Sequence, residues 1–112
     1  MILKGVLMTN KQNIEYMEDG VAISPAVPMV GDRIRIIYDG ILSKNGATGM
    51  NLHLGYGANM ENEQDIPMTR GETCFEATVP ALKESYLKLS FRDQLNNVDD
   101  NSGNFYSFDI TG

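Results

Sequence analysis

Few residues in this chain are equipped for chemistry. It holds one histidine, His53, one cysteine, Cys74, and fifteen Asp and Glu against nine Lys and Arg. A single imidazole excludes any site built on two, and a lone thiol closes neither an internal disulfide nor a thiolate metal cage. A nucleophilic triad would need His53 as its base, yet no Gly-x-Ser-x-Gly turn presents a serine to it. Cys74 opens an apolar strand pattern and reads as a small buried hydrophobe, not a nucleophile. No glycine is followed by the Lys-Ser/Thr of a phosphate-cradling loop. With fifteen carboxylates some pair will fall at any required spacing, so none stands out as a glycosidase acid and base. The expectation is a protein that is not an enzyme and uses no cofactor and no metal.

Two places remain. The stretch Val98-Asp-Asp-Asn-Ser-Gly-Asn104 begins with the Asp99, Asn101 and Gly103 spacing of a calcium loop. Gly103, however, occupies the place of a third oxygen ligand, no bidentate Glu follows, and a strand pattern comes next where a helix is required. It reads as a solvated turn whose Asp and Asn side chains bond their own backbone. The second place is His53 itself, set between two apolar residues in Leu52-His-Leu54. That phase puts the imidazole on the outer face of a strand, where it would stack on a sugar ring or meet water.

Overall charge narrows the partners. At 112 residues the chain makes one domain, 42% hydrophobic and 21% charged, with a formal net charge of −6 and a pI near 4.6. Nucleic acid requires a basic footprint to displace counterions, and an anionic membrane surface attracts positive charge, so neither is an expected partner. No apolar run reaches the ~20 residues of a membrane helix. The start, Met1 to Met8, lacks the basic residue and long apolar core of an export signal, which sets the expectation of a cytoplasmic protein.

Elements that would position His53 and the acidic loop follow from a period of two. Asp32–Tyr38 alternates Ile34 and Ile36 with Arg33 and Arg35; Met50–Tyr56 alternates Met50, Leu52, Leu54 and Tyr56 with Asn51, His53 and Gly55. Phe75, Ala77 and Val79 alternate with polar neighbours, as do Leu87, Leu89 and Phe91, and then Tyr106, Phe108 and Ile110. Each is a strand with one buried and one wet face, separated by Gly- and Asn-rich turns. Gly40 to Gly49 reads as a hairpin-like connection. The fold class predicted is all-β, an antiparallel β-sandwich. Residues 1–20 form an N-terminal extension or edge strand: Ile2, Leu3, Val6, Leu7 and Met8 suit an edge strand or a helical turn, and Asn10 to Gly20 suits a loop. The span 1–112 is a single unit without internal repeats.

The runs Gly31–Leu42, Gly46-Ala47 and Leu52-His-Leu-Gly-Tyr56, then Phe91-Arg-Asp93 and Asp99-Asp-Asn-Ser-Gly-Asn-Phe-Tyr-Ser-Phe108, resemble the family 25 carbohydrate-binding modules. The resemblance covers roughly residues 20–110. It implies an immunoglobulin-like sandwich that binds α-glucans such as starch, glycogen or maltooligosaccharides without catalysis; the partners expected beside the glucan are an enzyme next to the module or, if the sugar is lost, a second copy in a homodimer. His53 corresponds to the family's histidine, and Asp99, Asp100 and Asn101 to its Asp-Asn-Asn loop, with Asp100 replacing an Asn. The family's two stacking tryptophans have no counterpart, since the chain contains none. Val98 stands where one would precede the loop, and the other would fall in the stretch that ends at Met60. The carbohydrate-binding residues this implies are His53, Met60, Val98, Asp99, Asp100 and Asn101. The alternative is a sandwich of the same lineage that has lost the sugar and acts in assembly or regulation, with Met60, Val98 and Phe105 as an apolar contact patch.

Overall fold

The computed structural model describes the strand Tyr16–Glu18 and residues 20–112. Among them, in chain order, lie β1 (Tyr16–Glu18), β2 (Val21–Ser24), β3 (Arg33–Tyr38), a single helical turn α1 (Ile41–Lys44), β4 (Met50–Tyr56), β5 (Glu61–Pro67), β6 (Thr69–Arg70), β7 (Phe75–Pro80), β8 (Ser85–Asp93), β9 (Val98–Asp99) and β10 (Tyr106–Ile110). They make two antiparallel sheets, one ordered β1-β2-β3-β7-β6 and the other β10-β8-β4-β5, with the short β9 also paired to β8. No helix among the described residues is long and apolar enough to cross a membrane.

The alternating patterns land as predicted. Ile34, Ile36 and Tyr38 of β3 meet Phe75, Ala77 and Val79 of β7 on the inner face of the first sheet. Leu52, Leu54 and Tyr56 of β4, Leu87, Leu89 and Phe91 of β8, and Tyr106, Phe108 and Ile110 of β10 line the inner face of the second. One continuous core joins them, and every buried side chain of this kind contributes on the order of 1.5–3 kcal/mol through removal of apolar surface from water.

Four features differ from the expectation. Tyr16–Glu18 is a strand, not loop: Gly20, at φ +86°, reverses the chain so that β1 lies back against Val21–Ile23. A side chain there would strike the Asp39 carbonyl oxygen at 2.6 Å. The apolar cluster Ile2 to Met8 lies outside the described residues. The Gly40–Gly49 connection is not a hairpin, because it carries the chain from β3 in one sheet to β4 in the other; α1 turns within it and buries Leu42. Glu61–Pro67 forms a full strand, β5, although only Ile66 among its residues is an apolar residue of strand type. Cys74 is half-buried, not sealed in the core, since it precedes β7 and its first inward residue, Phe75.

A buried polar joint ties the layers together. Asp99 is 8% exposed and accepts hydrogen bonds from the hydroxyls of Tyr38, at 2.6 Å, and Tyr106, at 2.8 Å. Tyr38 belongs to the first sheet and Tyr106 to the second. Tyr38 in turn accepts a bond from the backbone N–H of Leu42 at 3.1 Å, fixing α1. Its ring stacks on Phe91 with centroids 4.2 Å apart, and Phe91 meets Tyr106 at 5.9 Å. Burial, with the bond to Asp99 adding to it, pushes the Tyr38 hydroxyl far above the ordinary phenol range, so it stays a donor.

Removing the acceptor would leave two buried hydroxyls unsatisfied. Asp99→Ala is expected to lower unfolding free energy by about 2–4 kcal/mol, given that bonds to a charged group contribute ~1.5–3 kcal/mol each. Urea denaturation followed by circular dichroism measures it. A loss under about 0.5 kcal/mol, the size of a neutral surface change, would show that the joint does not hold the sheets.

Candidate functional site

The outer face of the second sheet carries a groove of about 620 Å³. Its floor and walls come from Asn51 and His53 of β4, Ser90 and Arg92 of β8, Asp65 of β5, Val98 of β9, and Asn96, Asp100 and Phe105 of the connections on either side of β9. Strand register builds the floor: His53 sits opposite Ser90 on one side and Asp65 on the other, while Asn51 sits opposite Arg92. Residues directly opposite across a pair of strands share a face, so these side chains converge.

The wall depends on two turns. In the first, Asp93 bonds the backbone N–H groups of Leu95 and Asn97, both at 2.9 Å, and the Asn97 side-chain amide at 3.0 Å. That amide, aided by the two backbone donors, holds the Asp93 carboxyl below the usual carboxylate range. Asn96, at φ +68°, completes the reversal, and β9 returns along β8 with Val98 opposite Arg92 and Asp99 opposite Phe91. The alternation then sends Val98 out into the groove, 49% exposed, and Asp99 inward to the two tyrosines. In the second turn, the Asp100 carboxylate accepts the Gly103 N–H at 2.9 Å and its carbonyl accepts the Phe105 N–H at 2.7 Å. The Asn101 amide donates to the Phe105 carbonyl at 3.1 Å.

The residues read from sequence as one site therefore separate. His53, Val98 and Asp100 meet in the groove. Asp99 lies beneath it with both carboxylate oxygens engaged, and Asn101 is spent on the turn. Met60 does not line the groove: its sulfur packs over Gly55, the next outward position of β4 after His53, where a Cβ would come within 2.9 Å of it. Residues that sequence patterning missed are Asp65 and Glu63, because β5 was not recognised; the signal was there in the polar alternation Glu61, Glu63, Asp65. Arg92 and Asn51 were recognised as outward-facing but not as neighbours.

His53 is held on both ring nitrogens. Nδ1 lies 2.8 Å from Asp65 and Nε2 2.9 Å from Glu63. Both contacts are satisfied at once only by the imidazolium, which donates from both nitrogens. Burial draws its pKa down, but the two carboxylates outweigh burial and the net shift is upward from the ordinary 6.5. Arg92 lines the groove without a charged partner among the described residues. Further along β8, Lys88 holds its ammonium 4.9 Å from the centre of the Phe105 ring. Two cations in the groove, His53 and Arg92, thus meet two anions, Asp65 and Asp100, with Lys88 and Glu63 adjoining one of each sign. The groove offers donors, acceptors and one ring while remaining close to neutral.

No known family's sequence profile matches the chain, and no curated protein matches it in sequence. Among solved structures, the chain is similar to the crystal structure of a Br derivative of BhCBM56, a carbohydrate-binding module, at 15% identity and a TM-score of 0.54, with 85% of this chain and 97% of that one covered. The likeness is one of fold: a β-sandwich of the same build.

Since His53 is the sole histidine, one imidazole resonance reports the bridge. Its folded-state pKa lies above 6.5, so the bridge is complete below the unfolded value and fades as pH rises through the folded one. An NMR titration of the ring proton is expected to give a midpoint above 6.5, moving down in the Glu63→Gln, Asp65→Asn double variant. A midpoint at or below 6.5 in the parent protein would dissolve the bridge.

Proposed function

We propose that this chain is a non-catalytic carbohydrate-binding module whose groove takes a neutral polysaccharide, an α-glucan of the starch and glycogen class. The observation that carries this is the composition of the groove: an aromatic ring beside paired donors and acceptors, on an open sheet face, with charges that nearly cancel. A glucose unit presents apolar C–H faces that suit a ring and hydroxyl pairs that suit amides, carboxylates and guanidinium. A strongly charged glycan would meet both signs. The choice of α-glucan follows the resemblance around His53 and Asp99–Phe108, and the solved carbohydrate-binding module of like fold supports the broader class. Residues assigned to contact are His53, Asn51, Arg92, Asp100 and Val98; Asp99 and Asn101 shape the wall. The module would act beside an enzyme by keeping it close to polymer.

A second reading, in which the face serves assembly, is favoured by one feature: Leu95 and Val98 are 72% and 49% exposed side by side on the same rim. Under it the protein would dimerise instead of binding polymer.

Affinity electrophoresis in gels containing amylopectin or glycogen, with dextran and barley β-glucan as linkage controls, separates the two. The expected outcome is retardation by amylopectin and glycogen but not by dextran or β-glucan, and at least tenfold weaker retention for His53→Gln, equivalent to about 1.4 kcal/mol, with that variant still folded by circular dichroism. Migration unaffected by any of the four polymers, together with a concentration-dependent dimer in sedimentation, would overturn carbohydrate binding in favour of assembly.

A further inference from the structure

We infer that Phe105 is the ring on which a neutral hexose unit stacks, and that its strained backbone exists to present that ring; the assignment rests on the carbohydrate-binding reading above. Phe105 has φ +62°. A bulky side chain in the left-handed region is an outlier, because its Cβ crowds the following carbonyl. Glycine or asparagine would sit there with little strain. Such outliers persist where the surroundings over-determine them, and they gather at binding sites.

Both ends of the residue are fixed. Its N–H donates to the Asp100 carbonyl and its own carbonyl accepts the Asn101 amide. The strain gains nothing for the interior. Tyr106, Phe108 and Ile110 turn inward and belong to the core, while Phe105 has no place in it and stays half-buried on the outer side. What it does reach is the groove, where among the described residues it is the phenyl ring not packed inside, since Phe91, the other phenylalanine of the lining, is 1% exposed. Lys88, with its ammonium 4.9 Å from the ring centre, props it.

Arg92, Asn96 and Asp100 line the same groove. A pyranose laid on the ring would direct its equatorial hydroxyls to a guanidinium, an amide and a carboxylate, which between them donate and accept. This is the arrangement of a single sugar subsite: one hydrophobic platform and a polar fringe. It would take the place that a tryptophan holds in other aromatic platforms, in a chain that has no tryptophan.

Two substitutions test it. Phe105→Asn keeps the left-handed backbone and removes the ring. It is expected to weaken amylopectin retention at least tenfold while leaving the melting temperature unchanged or higher, a combination that a merely structural side chain would not give. Phe105→Trp places a single tryptophan in the protein, so its emission reports the groove alone; addition of maltoheptaose is expected to shift that emission to shorter wavelength and to saturate. If wild-type protein is retained and Phe105→Asn is retained equally, Phe105 is not the platform, although carbohydrate binding stands. If Phe105→Asn both unfolds more easily and loses retention, the emission decides: a saturable shift supports the platform and an unresponsive emission overturns it. If the wild type is retained by none of the four polymers, the module reading falls and this assignment falls with it.

Discussion

The carboxylate of Asp99 is the constraint around which the groove is arranged. A charged group taken out of water is tolerated only when its lone pairs are met. Here two tyrosine hydroxyls meet them, one from each sheet. The joint does more than close the core. Strand β9 is only two residues long and pairs with β8 over two positions, too little ladder to fix itself. Anchoring Asp99 inside sets the phase of those two residues, and that phase turns Val98 outward and starts the Asp100–Phe105 turn at the groove edge. The wall of the candidate site is thus positioned from underneath.

Much of the architecture could be read from spacing because the informative strands are half-buried. Ile34 and Ile36, Leu52 and Leu54, Leu87 and Leu89, and Tyr106 and Phe108 each write one face of a sheet into the sequence with a period of two. Strand β5 escaped because it lies at a sheet edge, where burial demands little: Gln64 and Ile66 are its only partly buried residues. The helical turn at Leu42 escaped because one turn has no period to detect. The acidic loop was legible as a location but not as a set of roles. Asp99, Asp100 and Asn101 are adjacent in sequence, and a local pattern treats them alike. Of the three only Asp99 pairs with β8, and the long-range partners Tyr38 and Phe91 reveal that it is the one inside, while Asp100 and Asn101 go to the turn that follows. The place of Met60 is likewise decided by a contact, with Gly55, that spacing from His53 does not show.

Charge in the groove follows from topology more than from composition. The chain is acidic overall, yet antiparallel pairing brings Arg92 beside Asn51 and sets His53 between β8 and the carboxylates of β5. An imidazole bonded through both ring nitrogens to Glu63 and Asp65 of β5 has its tilt fixed and its donors engaged, so it offers a ligand a defined ring face at little further loss of side-chain freedom. Phe105 is fixed by a different device, backbone strain locked by Asp100 and Asn101. A recognition surface whose members are immobilised beforehand can use weak individual contacts.

The carboxylates that clamp His53 have a second consequence. Strand β5 closes one side of its sheet and, among the described residues, has no neighbouring strand for its outer row of backbone N–H and C=O groups. Such a margin invites another chain to add a strand and start a fibre or a swapped aggregate. Glu61, Glu63 and Asp65 set carboxylates along that margin, Glu61 paired with Lys83 and the other two with His53, and Pro67 removes a donor at its end. An incoming copy would have to bring its own carboxylates against these, so the same residues that hold the imidazole also disfavour the addition of a strand at this margin.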